Sequence, residues 1–277
     1  MRDFNDKTVI VTGGGSGIGA AICRLFATEG SRVVVADIEL EKAQIQATGI
    51  VERGGIATAA HVDITCSASC AELSQQSREW YGNAHLLVAN AGVLMLGTFA
   101  TRTQKDWQWV FDVNVFGTIR TVDAFLPQLL ENAGDAHIVI TNSMAGLMAS
   151  APGKGVYNAS KHAQMSYAET LRDEIAGDDI GVTLLMPGGT ESEITNSERN
   201  RPKSSGRGEP LSDKDFEILL AHLGETGQTV SAEHCIRNLI TGIRGNVTWV
   251  MADSPQRAAI EARFARISRA FDISQLH

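Results

Sequence analysis

The segment Lys7–Phe26, KTVIVTGGGSGIGAAICRLF, decides how this chain folds. Its first part, Lys7–Thr12, is an apolar run rich in β-branched residues and predicts a buried strand. The glycine-rich turn Gly13–Gly19 follows directly, and a helical pattern begins at Gly17. A strand, a glycine-rich turn and a helix in this order are typical of a site that holds a dinucleotide pyrophosphate at a helix N-terminus.

Six more strand patterns alternate with helical patterns along the rest of the chain. The further predicted strands are Ser31–Ala36, Ile56–His61, His85–Ala89, Ala136–Thr141, Gly181–Met186 and Val247–Met251. The helical patterns cover residues 17–29, 39–54, 68–81, 106–132, 156–177 and 231–245. This alternation predicts one α/β domain, a Rossmann-type doubly wound parallel sheet of seven strands with helices on both faces.

Two segments depart from the alternation. Residues 191–210 are polar and rich in Ser, Arg, Asn, Pro and Gly, and residues 211–223 then have a helical pattern. We expect residues 191–225, called the lid below, to cross the carboxyl ends of the strands, with 191–210 irregular. Residues 255–271 predict an amphipathic helical extension that packs on the domain, contacts another subunit or closes a pocket.

The bulk composition excludes several classes of protein. A formal net charge of −8 over 277 residues argues against a nucleic-acid-binding surface and against adhesion to anionic membranes. No apolar run approaches the about 20 residues of a transmembrane helix. The four cysteines, Cys23, Cys66, Cys70 and Cys235, lack zinc-ligand spacing. We therefore expect free thiols, no bound metal and a cytoplasmic protein.

Tyr157 and Lys161, in the stretch YNASK, place a phenol and an ammonium four residues apart. On a helix such residues share one face, where the cation favours the phenolate and lowers the tyrosine pKa from about 10. A tyrosine in that setting can act as a general acid and base. The spacing alone also fits an amphipathic helix with a buried ring and a solvated lysine, so the neighbouring motifs decide.

Asp37 ends the second predicted strand, about 20 residues after the glycine-rich turn. A carboxylate there can accept hydrogen bonds from both hydroxyls of an adenosine ribose, and it repels a 2′-phosphate. Capping of the next helix is the alternative role. Because Ser16, Ile38 and Glu39 bring no positive charge, the pattern favours NAD over NADP.

Together these motifs resemble the short-chain dehydrogenase/reductase family along almost the whole chain. The turn has the family's Thr-Gly-x-x-x-Gly-x-Gly form, the Tyr157 pair its Tyr-x-x-x-Lys form, and Asn90-Ala91-Gly92 its Asn-Ala-Gly form. The resemblance implies catalytic roles for Asn114, Ser143, Tyr157 and Lys161. It implies dinucleotide contacts from Gly13, Ser16, Gly17, Ile18, Gly19, Asp37, Ile38, Asp63, Ile64, Asn90, Ala91, Gly92, Tyr157, Lys161, Pro187, Gly188, Thr190 and Ser192.

Three positions depart from the family pattern. Thr190 and Ser192 stand where the family often has Val and Thr, and Asn142 stands where a serine is common. Ser192 keeps a hydroxyl for the nicotinamide amide, whereas the hydroxyl of Thr190 has no assigned use. Asn142 precedes the catalytic position, so we expect the chemistry to be unaffected.

The resemblance implies that NAD and these residues interconvert an alcohol and a carbonyl compound. Tyr157 is expected to take the alcohol proton, while Lys161 stabilises the phenolate and holds the nicotinamide ribose. Ser143 is expected to hydrogen-bond the substrate oxygen. Asn114 is expected to order a water that links Lys161 to solvent. Without the Tyr–Lys pair, Ser143 would be a turn or cap residue and Asn114 a buried amide at a helix bulge.

The substrate pocket is expected to be apolar. Its candidate lining residues are Met95, Leu96, Leu147, Met148, Ala151, Val156 and Ile194, with Ser143 at the reacting oxygen. No Arg or His is predicted beside Ser143, and we expect Lys154 in a solvated loop. These features predict an uncharged, hydrophobic secondary alcohol or ketone as substrate, bulky or aromatic. The lid and the C-terminal extension are similar to those of family members that act on bulky aryl or alicyclic alcohols.

Other functions fit the same motifs. A 3-oxoacyl-thioester or hydroxysteroid reductase would use the same active site. Enoyl-thioester reductases of this fold space their Tyr and Lys more widely, and non-catalytic dinucleotide-sensing regulators tend to lose one of the two. The resemblance also implies a homotetramer or homodimer formed through residues 106–132 and 156–177.

Overall fold

The computed structural model describes residues 1, 3–148, 152–203, 206, 210–223, 229–252 and 256–273. Its strands are β1 (Thr8–Thr12), β2 (Arg32–Asp37), β3 (Ile56–His61), β4 (Leu86–Ala89), β5 (Ala136–Thr141), β6 (Ile180–Met186) and β7 (Trp249–Met251). Its helices are α1 (Gly17–Thr28), α2 (Leu40–Val51), α3 (Ser67–Tyr81), α4 (Gln104–Phe111), α5 (Thr118–Glu131), α6 (Gly155–Glu174), α7 (Asp213–Leu223), α8 (Ala232–Ile236), α9 (Leu239–Arg244) and α10 (Arg257–Ile273). The seven strands form one parallel sheet in the order β3-β2-β1-β4-β5-β6-β7, which confirms the predicted fold.

The strands are apolar because helices cover both faces of the sheet. Along β1, Val9 and Val11 belong to a core with helices α1, α2, α8 and α9. Ile10, between them, belongs to a second core with α3, α4, α5 and α6. This alternation follows from the two-residue period of a strand. At the edge of the sheet, β7 buries only its middle residue, Val250.

The order of the strands reverses at β1, which pairs with β2 on one side and with β4 on the other. In doubly wound sheets ligands bind in the crevice outside the carboxyl ends of the strands at such a point. The predicted site residues Asp37, Asn90, Ser143 and Pro187 end or follow β2, β4, β5 and β6, respectively. The topology therefore brings them to one edge of the sheet.

Two predicted helices differ from the structure. The pattern at 106–132 is α4 and α5 joined by a π-helical segment, Asp112–Gly117. The pattern at 231–245 is the two helices α8 and α9, because Asn238 at φ −98° and ψ 1° leaves the helical conformation. Apolar periodicity continued through both interruptions, so it predicted one helix at each place.

The first half of the lid is ordered rather than irregular, which corrects the prediction. Glu193–Asn200 forms a 3₁₀ helix with a kink at Asn196. On the side of α4, the Ser197 hydroxyl accepts the main-chain N–H of Leu94 at 3.1 Å, and Arg201, directly after the 3₁₀ helix, binds Asp106. The helix predicted at 211–223 is present as α7. Residues 204, 205, 207–209, 224 and 225 of the lid lie outside the described residues.

The pair Arg201–Asp106 is buried. Its N–O distance is 2.7 Å, and the side chains of Arg201 and Asp106 are 2% and 0% exposed. The guanidinium of Arg201 also lies 5.2 Å from the ring centroid of Trp109. Because Asp106 belongs to the capping box of α4, this pair connects the lid to the helix that precedes Asn114.

The C-terminal extension is helical, as predicted, with Pro255 outside the described residues. Ile260 packs against the core, and Arg263 donates a hydrogen bond to the main-chain carbonyl of Leu147 at 3.0 Å. Phe264 and Ile267, further along, are about half exposed, at 49% and 46%. The first turns of α10 therefore pack on the domain.

All four cysteines are free thiols. None of the helices in the described ranges is long and apolar enough to cross a lipid bilayer. In the same ranges no group of three or more His, Cys, Asp or Glu side chains is placed to hold a metal ion.

We predict that Arg201→Met lowers the free energy of unfolding by about 3 kcal/mol, because it leaves the buried carboxylate of Asp106 without its cation. Urea denaturation measures the change. The control is Arg199→Met on the same lid, whose ion pairs are more exposed and which should cost about 1 kcal/mol or less. Equal losses in the two variants would contradict the prediction.

Candidate active site

A single cleft of about 480 Å³ runs along the carboxyl ends of the strands and contains most of the predicted site residues. Those that line it are Gly13, Ser16, Gly17, Ile18, Gly19, Asp37, Ile38, Asp63, Ile64, Asn90, Ala91, Gly92, Ser143, Met148, Tyr157, Lys161, Pro187, Gly188, Thr190, Ser192 and Ile194. The residues predicted for the dinucleotide therefore share one continuous space with Ser143, Tyr157 and Lys161, whereas Asn114 does not line it.

Some predicted residues lie elsewhere. Met95, Leu147 and Val156 are buried in the hydrophobic core and do not line the cleft. Leu96 also lies off it, and Ala151 is outside the described residues. The sulfur of Met95 instead accepts a hydrogen bond from Arg102 at 3.4 Å, so that side chain packs beneath the site.

The glycine-rich turn fits closely against the end of β4. Gly13 has φ +65°, and a Cβ added there would lie 2.9 Å from the Cα of Ala91. A Cβ at Gly19 would lie 2.0 Å from the carbonyl oxygen of Gly13, so no larger residue fits. The amide of Asn90 donates to the carbonyls of Thr12 and Gly13 at 3.0 and 3.2 Å and holds the turn in place.

The first turn of α1 is available to an anion. No side chain caps this helix at Ser16, so the N–H groups of its first turn keep their hydrogen-bonding capacity. Gly17, Ile18 and Gly19 of this turn line the cleft, and the helix dipole favours a negative charge there. The turn therefore fits a pyrophosphate.

Asp37 is buried and ordered by the backbone. Its Oδ2 accepts the N–H of Gly15 and its Oδ1 accepts the N–H of Glu39, both at 2.9 Å. A carboxylate offers about four acceptor sites, so two remain for ribose hydroxyls. The N-cap residue of α2 is Glu39, whose N–H Asp37 accepts, so the carboxylate of Asp37 lies just before the start of the helix and still faces the cleft.

A cluster of ions surrounds Asp37. Arg199 of the lid binds Glu39 at 2.8 Å and Glu193 at 3.1 Å, and Lys42 binds the same two carboxylates. The hydrogen bond from Arg199 lowers the pKa of Glu39 to about 2. The lid is therefore fastened beside Asp37 by charges that persist at neutral pH.

The remaining dinucleotide candidates have defined partners. Asp63 accepts the N–H and the hydroxyl of Thr65 at 2.9 and 2.7 Å, both on Oδ1. Ser192 lies across the cleft from Gly17, where an added Cβ would approach the serine Cβ to 3.0 Å. Thr190 donates to the carbonyl of Gly188 at 3.4 Å, which gives its hydroxyl a structural use.

Burial dominates the titration of Tyr157 and Lys161. Desolvation raises the pKa of Tyr157 to about 12, against the lowering effect of a hydrogen bond with Ser143. Desolvation lowers the pKa of Lys161 to about 7, and its ammonium lies 5.8 Å from the centroid of the phenol ring. Burial therefore outweighs the lowering of the tyrosine pKa that was expected from Lys161, and it also lowers the pKa of the lysine.

Asn114 lies beneath the cleft on the π-helical segment. Its amide donates to the carbonyl of Val93 at 2.9 Å and to Ser160 at 3.0 Å, and its Oδ1 accepts the N–H of Val93 at 2.8 Å. The side chain therefore holds the loop after β4. Its main-chain carbonyl accepts the hydroxyl of Thr118 at 2.9 Å.

Comparison with known proteins identifies the family. A model described as "short chain dehydrogenase" matches residues 7–203. The chain belongs to the short-chain dehydrogenase family.

Relatives of this family resemble the chain along most of its length. The crystal structure of a short chain dehydrogenase/reductase from Burkholderia phymatum in complex with NAD superposes with a TM-score of 0.90, at 29% identity over 98% of this chain and 97% of that one. The "C alpha-dehydrogenase" of Sphingobium sp. is 28% identical, covering 96% of this chain and 87% of its own. The "1-deoxy-11-beta-hydroxypentalenate dehydrogenase" of Streptomyces exfoliatus is 31% identical, covering 77% and 78%.

Sequence reasoning missed several residues of this short-chain dehydrogenase cleft. Trp109, Val113, Lys154, Asn200 and Gln256 line it. The four-residue spacing of Trp109 and Val113 on the helix before Asn114 was a usable signal. Lys154 was expected in a solvated loop, but it is the cap residue of α6 and half-buried, and burial lowers its pKa.

Proposed function

We propose that the chain is an NAD-dependent alcohol dehydrogenase or ketoreductase, which transfers a hydride between NAD(H) and a hydrophobic secondary alcohol or ketone. The observation that carries the proposal is one cleft with Tyr157, Ser143 and Lys161 at one end and Asp37 and the glycine-rich turn at the other. Asp37 ends β2 and Ser143 follows β5, with β1 and β4 between these strands in the sheet, so a bound dinucleotide would bridge the two groups with its nicotinamide beside the tyrosine.

The charges around Asp37 support NAD as the cofactor. Two cations, Lys42 and Arg199, lie near Asp37, but three carboxylates, those of Asp37, Glu39 and Glu193, outnumber them. A 2′-phosphate would therefore meet a net negative site. The NAD complex of the Burkholderia phymatum relative is consistent with this choice.

Tyr157 is the proposed acid and base. Tyr157 and Ser143 both line the cleft, and Ser143 lowers the pKa of the phenol against the effect of burial, so an alcohol oxygen bound there would meet both hydroxyls. In oxidation the tyrosine takes the alcohol proton, and Ser143 holds the oxygen as its charge changes. When bound, NAD⁺ would supply the hydride acceptor and a positive ring charge near the phenol.

The pocket beside Tyr157 supports a largely apolar substrate. Apolar side chains line it, namely Leu94, Trp109, Val113, Met144, Met148 and Ile194. Lys154 lines the same cleft, and burial lowers its pKa with no carboxylate among the described residues opposing that effect. We therefore extend the proposal to a bulky hydrophobic alcohol that carries a carboxylate or phenolate away from the reacting carbon.

We also propose a cytoplasmic homotetramer or homodimer formed through α4, α5 and α6. Phe116, on the segment between α4 and α5, is 51% exposed, which supports a contact there.

A 3-oxoacyl-thioester or hydroxysteroid reductase is the alternative function that uses the same chemistry. A dinucleotide-sensing regulator is the alternative that has no turnover.

We predict that Tyr157→Phe lowers kcat by about 1,000-fold or more while NADH still binds, because the variant keeps the ring and loses the proton. Steady-state NAD reduction with a panel of secondary alcohols and NADH fluorescence titration measure the two effects. Tyr167→Phe, on the same helix and outside the cleft, is the control. Turnover retained by Tyr157→Phe would exclude the acid–base role. A wild type that binds NADH without turning over any alcohol would favour the regulator.

We predict that Asp37→Ser weakens NADH binding and reduces the preference for NADH over NADPH by about tenfold or more. The reason is that the variant loses the acceptor for the ribose hydroxyls and one of the three negative charges. Fluorescence titration with both dinucleotides measures it. Glu41→Ser removes an exposed carboxylate from the same helix region and should change neither affinity. A wild type that prefers NADPH would overturn the choice of cofactor.

We predict that Lys154→Met raises KM about tenfold for an aryl secondary alcohol with a distal carboxylate, and leaves KM unchanged for its methyl ester. The ammonium is available to the carboxylate and has no such partner in the ester. Initial rates with the matched pair of substrates measure the effect, and Lys105→Met on the exposed side of α4 is the control. Equal changes for acid and ester would contradict the role of Lys154.

A further inference from the structure

Gln164 lies on α6 three residues after Lys161 and is 1% exposed. Its side-chain oxygen accepts the ammonium of Lys161 at 2.9 Å and the amide of Asn142 at 3.0 Å. Its side-chain nitrogen donates to the main-chain carbonyl of Asn114 at 2.9 Å and to the hydroxyl of Thr118 at 2.7 Å. A carboxamide has two donors and two acceptor sites, and all four are used here.

The neighbours of Gln164 allow only one orientation of its carboxamide. Turning the group over would place its NH₂ against the ammonium of Lys161 and the NH₂ of Asn142. The same turn would place its oxygen against the carbonyl of Asn114. Two donors or two acceptors cannot hydrogen-bond each other, so the group is fixed.

Asn142 extends this network to Ser143. Its Oδ1 accepts the main-chain N–H of Ser143 at 2.8 Å, and its Nδ2 donates to the main-chain carbonyl of Lys161 at 2.9 Å as well as to Gln164. The carboxamide of Gln164 therefore bonds Lys161 and the main chain of Asn114 directly. Through Asn142 it is also connected to the main chain of Ser143.

We propose that Gln164 is a positioning residue of the active site, which holds the ammonium of Lys161 and fixes it relative to Asn114 and Ser143. The inference is drawn from hydrogen bonds between buried groups. Its importance for catalysis rests on the proposed function. Gln164 acts through Lys161 and Asn142 and does not line the cleft itself.

The effect of Gln164 on Lys161 has a definite sign. Hydrogen bonds accepted from an ammonium favour its charged form and raise its pKa, whereas burial lowers the pKa of Lys161. The titratable group that faces Lys161 among the described residues is Tyr157. Removing the acceptor at 164 should therefore make Lys161 lose its proton at lower pH, and a carboxylate there should make it lose the proton at higher pH.

Two variants and a matched control test the proposal. Gln164→Met keeps the length of the side chain and removes its hydrogen bonds, and Gln164→Glu keeps an acceptor for Lys161 and adds a negative charge. The control is Gln128→Met, because Gln128 is 4% exposed and bonds Ser74 and Ala84 on the far side of α5. The loss of hydrogen bonds is comparable, and the active site is untouched.

The primary measurement is the titration of Lys161 by ¹³C NMR of its Cε, assigned by comparison with Lys161→Met. We expect the midpoint to fall by about one pH unit in Gln164→Met and to rise by about one unit in Gln164→Glu. In the pH profile of kcat/KM for alcohol oxidation, the alkaline limb should move in the same directions. Gln128→Met should lower Tm and leave both measurements unchanged.

The outcomes separate the inference from the proposed function. Midpoints within about 0.3 pH unit of wild type in the Gln164 variants would overturn the positioning role, even if Tm falls. The same holds if Gln128→Met shifts the midpoint as much. Shifted midpoints in a protein that turns over no alcohol would keep the positioning role and reject the dehydrogenase. If Gln164→Met does not fold, the opposite shift in Gln164→Glu decides alone.

Discussion

The burial of one lysine ammonium is the constraint around which the active site is built. Lys161 is 2% exposed, and an ammonium in such a place must have hydrogen-bond acceptors or lose its proton. The main-chain carbonyl of Thr141 at the end of β5 and the carboxamide of Gln164 supply two of them. The third N–H is the one that the proposed nicotinamide ribose would meet. Strand, helix and π-helical segment therefore come together at this cation.

The same carboxamide joins Lys161 to the π-helical segment that carries Asn114. The side chain of Gln164 accepts the ammonium of Lys161 and donates to the main-chain carbonyl of Asn114, at 2.9 Å each. A carboxamide has no proton that ionises near neutral pH, so it fixes these groups without passing a proton between them. Asn142, a departure from the family pattern that seemed harmless, is part of the same arrangement because it bonds Gln164 and Ser143.

Two kinds of ion pair hold the lid. Beside Asp37 the pairs of Arg199 and Lys42 are partly exposed and of modest strength. At the other end the pair Arg201–Asp106 is buried, and breaking it leaves a carboxylate in the interior. The lid segment 193–201 is therefore held more firmly on the side of α4 than on the side of the ribose site.

The sheet and the cofactor half of the cleft were predictable from the sequence, for physical reasons. A strand such as β6, buried on both faces, must be apolar throughout, and a turn such as Gly13–Gly19 tolerates no side chains. Both constraints act on residues that are adjacent in the chain, so a single sequence shows them as an apolar run and as a run of glycines. The carboxylate of Asp37 was equally visible because it stands at the end of a strand.

The remaining features depend on contacts between distant segments. The roles of Gln164 and Arg201 arise from Asn114 and Asp106, which are 50 and 95 residues away in the chain. The π-helical segment keeps the apolar pattern of an α-helix, so periodicity does not reveal it. Lys154 looked like a loop residue because its place at the mouth of the cleft depends on the segments packed around it. Local sequence carries none of this information.

The spacing of residues on α6 has a consequence for how this protein can change. Tyr157, Lys161 and Gln164 follow one another at intervals of four and three residues on α6, so they form a single stripe along the helix, with Lys154 at the N-cap three residues before Tyr157. Each residue of an α-helix is rotated by about 100° from the one before it. Inserting or deleting one residue between any two members would turn the rest of the stripe away from the cleft. Substitutions can alter these groups one at a time. An insertion or deletion within α6 would instead separate the residues that line the cleft from the buried Gln164.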